Sequence, residues 1–115
     1  MASKGADMPY DPGTARLLRD DLVGLPVTEK KMFGGICFML NGHMLCGTLD
    51  GGAMYRVGPQ AYDHALTLAG TRPMLFTKRP MKGFVECAFD ALHDDDKRAA
   101  ILALALSFVK SLPAK

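Results

Sequence analysis

Asn41-Gly42 is the feature that most constrains how this chain folds. The pair sits between two apolar runs, Gly35 to Leu40 and His43 to Leu49. Both residues tolerate positive φ, so they suit the two-residue turn whose twist matches that of paired strands. A turn of that length sets Leu40 opposite His43, Met39 opposite Met44, Phe38 opposite Leu45 and Cys37 opposite Cys46. Asp50-Gly51-Gly52 makes a second turn, and Ala53 to Val57 returns with alternating side chains. Three antiparallel strands in a meander follow from these signals alone.

The flanking segments complete an α+β pattern. Leu17, Leu18, Leu22 and Leu25 recur at helical spacing, with Thr14 as the expected cap and Gly24 and Pro26 as the stop. After Gly58, proline at a first helical position opens a short helix that ends at Gly70. Met74 to Thr77 reads as a fourth strand, "KRPMKG" as a polar loop and Phe84 to Phe89 as a fifth strand. The final segment from His93 to Pro113 has acid first and Lys110 late, the order that suits a helix dipole. The expected fold is an antiparallel five-stranded sheet with helices packed on it, in the order α-β-β-β-α-β-β-α.

Composition narrows the class. At 115 residues the chain is expected to form one domain over 11–115, preceded by a flexible tail over 1–10. A net charge of +2 is too small for general affinity to nucleic acid, so any basic patch must be local. There is no apolar h-region at the start and no apolar run of membrane-spanning length, which points to the cytoplasm. Three cysteines without a CxxC pair fit a reducing compartment and neither a disulfide framework nor a zinc site. Eight methionines is a high count for a residue that fills cores and adaptable surfaces.

"KKMFGGICFMLNGHMLCGTL", then "MYRVGPQA", then "MKGFVECAF" together resemble the N-terminal domain of the TfoX/Sxy family. Those proteins are bacterial regulators of natural competence. The resemblance spans roughly residues 14 to 113 and implies a secretion-chaperone-like fold. Full competence regulators carry a second domain, often compared with helix-hairpin-helix DNA binders. This chain resembles the stand-alone first module, so the resemblance implies a regulatory role by kinship.

No catalytic constellation emerges. Gly34-Gly35 precedes a strand, whereas a phosphate loop precedes a helix and carries its lysine downstream. A bulge or sharp strand entry, with Met32 and Phe33 on the core, accounts for the two glycines better. Ser3, Ser107 and Ser111 have no base and orienter beside them. His43, His64 and His93 lack metal-ligand spacing and read as solvent-facing. Asp94, Asp95 and Asp96 read as helix capping, since an EF-hand loop needs a glycine and a terminal glutamate.

Three features remain open. Cys37 and Cys46, if directly opposed, have Cβ atoms about 4.5–5.5 Å apart. A disulfide prefers about 3.5–4.5 Å, so a redox pair and two reduced core thiols are both readings. Lys30, Lys31, Arg56, Lys78, Arg79 and Lys82 form a candidate site for an anionic partner, against ordinary solvated loops with Arg56 paired to Glu86. Leu102, Leu106 and Val109 widen the apolar arc of the last helix beyond one sheet face and mark a candidate subunit interface.

The leading expectation is a non-enzymatic cytoplasmic module, without cofactor or metal, that recognises an unidentified protein partner or a second copy of itself. The alternatives are a nucleic-acid binder using the basic loops, and a small-molecule or anion binder centred on Arg56.

Overall fold

The computed structural model describes residues 12–32, 35–49, 51–76 and 79–114. The expected tail over 1–10, the Phe33-Gly34 link and Lys78 lie outside the described residues. Helix α1 runs Pro12–Asp21, and strands β1 Val27–Met32, β2 Gly35–Leu40, β3 His43–Leu49 and β4 Gly52–Arg56 follow. A single helical turn, α2 Tyr62–Ala65, leads to β5 Thr71–Phe76 and β6 Arg79–Ala88. A 3₁₀ turn over Phe89–His93 then enters the long helix α3, Asp95–Ser111.

The sheet is antiparallel with the order β1-β2-β3-β4-β6-β5. It has six strands, where the sequence pattern gave five. The extra one is β1, Val27–Met32, whose sequence shows no apolar alternation. Its residues Thr28 to Lys31 are all exposed, because β1 is an edge strand. Charged edge residues discourage pairing with another chain, and they also erase the apolar alternation by which strands are recognised. The opposite edge, β5, carries Pro73, a residue that cannot donate to a further strand.

Asn41 and Gly42 both have positive φ, as the turn requires. Beyond two pairs, however, the hairpin departs from regular register. Leu40 opposes His43 and Met39 opposes Met44, but Phe38 opposes Cys46 and Cys37 opposes Gly47. Leu45 is the extra residue of a β-bulge. The bulge turns both Leu45 and Cys46 into the main core, where each is fully buried.

That core lies between the sheet and the helices. Leu18 of α1, Leu22 in the turn just after it, and Ile101, Leu102, Ala105 and Val109 of α3 meet Phe38, Leu40, Tyr55, Val57 and Val85. Thr14 is buried within α1 and does not cap it, since the helix already begins at Pro12. At the start of α3, the Asp94 carboxylate accepts from the backbone N–H groups of Asp96 (3.0 Å) and Lys97 (3.1 Å). This is the capping role expected of the acidic run.

Arg98 joins the first helix to the last. Its Nε and Nη2 donate to the two carboxylate oxygens of Asp21 at 2.8 and 3.0 Å. Its Nη1 donates to Leu92 O (2.8 Å) and Asp95 Oδ1 (2.7 Å). The Arg98 side chain is 8 % exposed and that of Asp21 is 22 % exposed. Breaking such a pair strands a buried charge. Arg98→Ala is therefore expected to cost about 3–5 kcal/mol in denaturant unfolding. Asp95→Ala, at a side chain 87 % exposed, is expected to cost under about 1 kcal/mol.

Candidate functional site

Side chains alternate across a sheet, so every second residue faces away from the helices. On that far side Cys37, Met54 and Met74 are buried under Met39, Met44, Leu49 and Phe84, which stay partly exposed. Every member of this cluster comes from a strand. Four are methionines, so much of the chain's high methionine content goes into a second apolar layer on the helix-free face. Gly47 permits the close fit: a Cβ there would lie 3.3 Å from the Met54 terminal methyl and 2.8 Å from Ile36 O. Within the layer, Cys37 Sγ donates to Met39 Sδ at 3.6 Å.

Arg56 closes one end of β4 and opposes Phe84 on β6. Its guanidinium carbon lies 5.6 Å from the Phe84 ring centroid and 5.4 Å from that of Phe108 on α3. Both distances fall within the range of cation–π attraction. Glycine is required to bring Phe108 there. Gly58 has φ +87°, and a Cβ on it would fall 2.3 Å from the Phe108 ring. Gly83, at φ +95°, packs against Gly58 in turn and accepts from the N–H groups of both Val57 (2.8 Å) and Gly58 (3.0 Å). Glu86, the partner expected for Arg56, instead accepts from Arg72 Nε at 2.8 Å. Among the described residues, no carboxylate bonds Arg56. Phe108 also lines a cleft of about 210 Å³, together with Val57, Gln60, Ala61, Leu104, Ser107 and Ser111.

The other basic residues are not gathered into one patch. Lys30 and Lys31 are neighbours on β1 and so point to opposite faces of an exposed edge. Lys82 is exposed on β6, four inter-strand spacings away, or roughly 19 Å. Arg79 lies on the same strand and Lys78 outside the described residues. The expected polar loop is thus mostly strand.

The apolar breadth of α3 is largely used inside the chain. Leu102 and Val109 belong to the main core, and Leu106 is partly buried against it, so the proposed helix interface loses two of its three members. The candidate redox pair is also corrected. The bulge at Leu45 places Cys46 in the helix-side core, while Cys37 belongs to the layer on the other face.

His43 is buried, not solvent-facing: its Nε2 lies 2.7 Å from Pro113 O, which ties the end of α3 to the hairpin tip. His64 and His93 are exposed, the latter edge-on to Phe89 at 5.0 Å. Gly35 opens strand β2, not a helix, and a Cβ on it would strike Thr48 Oγ1. Close packing against Thr48 therefore explains that glycine. Among the described residues, no group of three or more His, Cys, Asp or Glu could hold a metal ion. No described helix is long and apolar enough to cross a membrane.

The buried acids set the chain's behaviour in alkali. Burial pushes the Cys37 thiol up to about 11 and raises those of Cys46 and Cys87. It also raises the Tyr55 phenol, whose Oη has no hydrogen-bond partner among the described residues. Near neutral pH, native thiols are expected to react with a disulfide reagent at least roughly tenfold more slowly than those of the unfolded chain. Mass spectrometry after mild oxidation is expected to find no Cys37–Cys46 bridge. Above the ordinary thiol value of 9.0, the unfolded chain releases protons that the folded chain retains. Stability is therefore expected to fall as pH rises through that region, measured as a declining urea midpoint.

A search of curated proteins and of solved structures finds no match. The family model for the TfoX N-terminal domain matches residues 21–109. That span begins at Asp21, the carboxylate of the Arg98 clamp, and ends at Val109 in the core of α3. It contains all six strands, the methionine layer and the Arg56 site. The chain therefore belongs to the TfoX N-terminal domain family.

Proposed function

We propose that this domain is a small non-enzymatic regulatory module that acts by binding a protein partner through the helix-free face of its sheet. The observation that carries the reading is the methionine layer. Met39, Met44, Leu49 and Phe84 leave apolar, adaptable surface on a face that no described helix covers. Methionine's unbranched, polarizable side chain suits a surface that must conform to another protein. Membership of the family supports a regulatory role of the kind its name evokes, in a bacterial cytoplasm and by kinship with competence regulators. The secretion-chaperone type of fold belongs to the same reading.

A direct nucleic-acid role draws less support. The lysines of β1 and β6 do not gather into one cluster, and the net charge is only +2. A homodimer through α3 has little free apolar surface to use, and both sheet edges are guarded by charge or proline.

The test is a pull-down with tagged protein, with and without nuclease and at two salt concentrations. It compares the native sequence with the double variant Met39→Glu/Met44→Glu. A protein captured through nuclease and salt but lost from the variant is the expected outcome. Capture that nuclease abolishes would move the role to nucleic acid. Equal capture by the variant would remove this face from the mechanism.

A further inference from the structure

We infer that Cys37, Met39 and Met54 form a binding site for a soft monovalent metal ion, copper(I) in chemical class, within the methionine layer of the helix-free face. The inference does not rest on the protein-partner reading, and the purified protein alone tests it.

Strands β2 and β4 bring the three sulfurs together across β3. Cys37 and Met39 are two residues apart on β2 and share its helix-free face. Cys37 opposes Gly47 on β3, and Gly47 opposes Met54 on β4. Gly47 has no side chain to separate its two neighbours. A Cβ there would lie 3.2 Å from Cys37 Cα and 3.3 Å from the Met54 terminal methyl, which puts the thioether end of Met54 beside Cys37. Cys37 Sγ and Met39 Sδ already stand 3.6 Å apart, with the thiol hydrogen directed at the thioether. Two sulfurs bonded to one metal ion at about 2.3 Å each stand about 3.8 Å apart at a tetrahedral angle. The first pair of ligands is therefore set at nearly its bound separation. Met39 and Met44 oppose each other on neighbouring strands and stay partly exposed, which gives the ion a way in.

The donor set names the ion. Thiolate and thioether sulfur favour copper(I), whereas carboxylate and carbonyl oxygen suit magnesium, calcium and manganese. Among the described residues, no cluster of His, Cys, Asp or Glu completes a metal site. Zinc, which takes its four ligands from those residue types, is poorly served here. Charge points the same way. On binding, the Cys37 S–H bond breaks, a sulfur–metal bond forms and the proton leaves to water. A monovalent ion in place of the proton leaves the charge of the buried layer unchanged. A divalent ion would add a charge to an apolar site beside β1, where Lys30 opposes Cys37. The other two thiols lack this setting: Cys46 and Cys87 belong to the helix-side core, whose described members include no methionine.

The experiment is an anaerobic titration of the purified protein with copper(I), followed by ultraviolet thiolate-to-metal absorption and then by competition with bathocuproine disulfonate. Expected is absorption that saturates at a single ion per chain. Cys37→Ala should abolish it, and Cys87→Ala should leave it unchanged. Met39→Leu/Met54→Leu is a volume-conserving pair of changes that keeps the layer packed. That variant should yield its copper to the chelator at least roughly tenfold more readily, a loss of about 1.4 kcal/mol. Zinc(II) in matched amount should leave the copper in place. The leucine variant keeps the test informative if the alanine variant does not fold. Absorption that never saturates, or that survives Cys37→Ala, would overturn the site. A leucine variant equal to the native protein would overturn thioether ligation, and displacement by zinc(II) would overturn the assignment to a soft ion.

Discussion

The fork of Arg98 on Asp21 is the interaction on which the rest of the arrangement depends. A sheet with one apolar face must be covered, and here the cover comes from two helices at opposite ends of the chain. Nothing in their local sequence makes them neighbours. The bidentate pair fixes where α1 ends relative to where α3 begins, and the Leu92 carbonyl fixes the turn between sheet and helix. Once both helices are anchored, Leu18, Leu22, Ile101, Ala105 and Val109 can fill one continuous core with Tyr55 and Phe38. The carboxylates keep the guanidinium charged at any pH the fold survives, so the clamp itself does not titrate away in alkali. The groups whose loss of a proton in alkali is held back by the fold are the buried thiols and the Tyr55 phenol.

The fold separates two apolar environments by a single layer of strands. On one side the packing is dense and includes the helices, and it serves stability. On the other, a thinner layer rich in methionine stays partly open, and it is the side free to meet another molecule. The Arg56 site stands where the two sides join. Its rings come one from each, Phe84 from the sheet and Phe108 from the helix. A change in how α3 seats against β4 would be felt at Phe108 first, which would couple that site to the packing of the core.

Much of this was legible in the sequence where a residue has one strong local preference. Asn41-Gly42 announced its hairpin, the acidic run announced the start of α3, and apart from β1 the expected order of elements matches the structure. The errors came where tertiary context decides. Strand β1 reads as polar chain because an edge strand needs no apolar alternation. The Cys37–Cys46 opposition failed because the bulge is imposed by the need to bury Leu45, which no local turn rule encodes. The apolar width of α3 was visible, but whether its partner lay inside or outside the chain was not. The Arg56 environment could have been glimpsed in "RVGP" and "KGF", where glycines beside a cation and an aromatic hint at a close backbone approach. His43 gave no such hint, since its partner is a carbonyl seventy positions away.

The bulge at Leu45 adds a residue to the core without disturbing the strands beyond it. Strand parity after it is inherited by β4, and through β4 by β6 and β5, since each pairs with the one before. Because Leu45 and Cys46 share the core face, the alternation on either side of the bulge stays in phase. Surface hairpins ordinarily accept small changes in length between homologues. In this one, loss of Leu45 would leave Met44 and Cys46 in plain alternation, Phe38 still opposite Cys46 and every later strand facing as it does, at the cost of one core side chain.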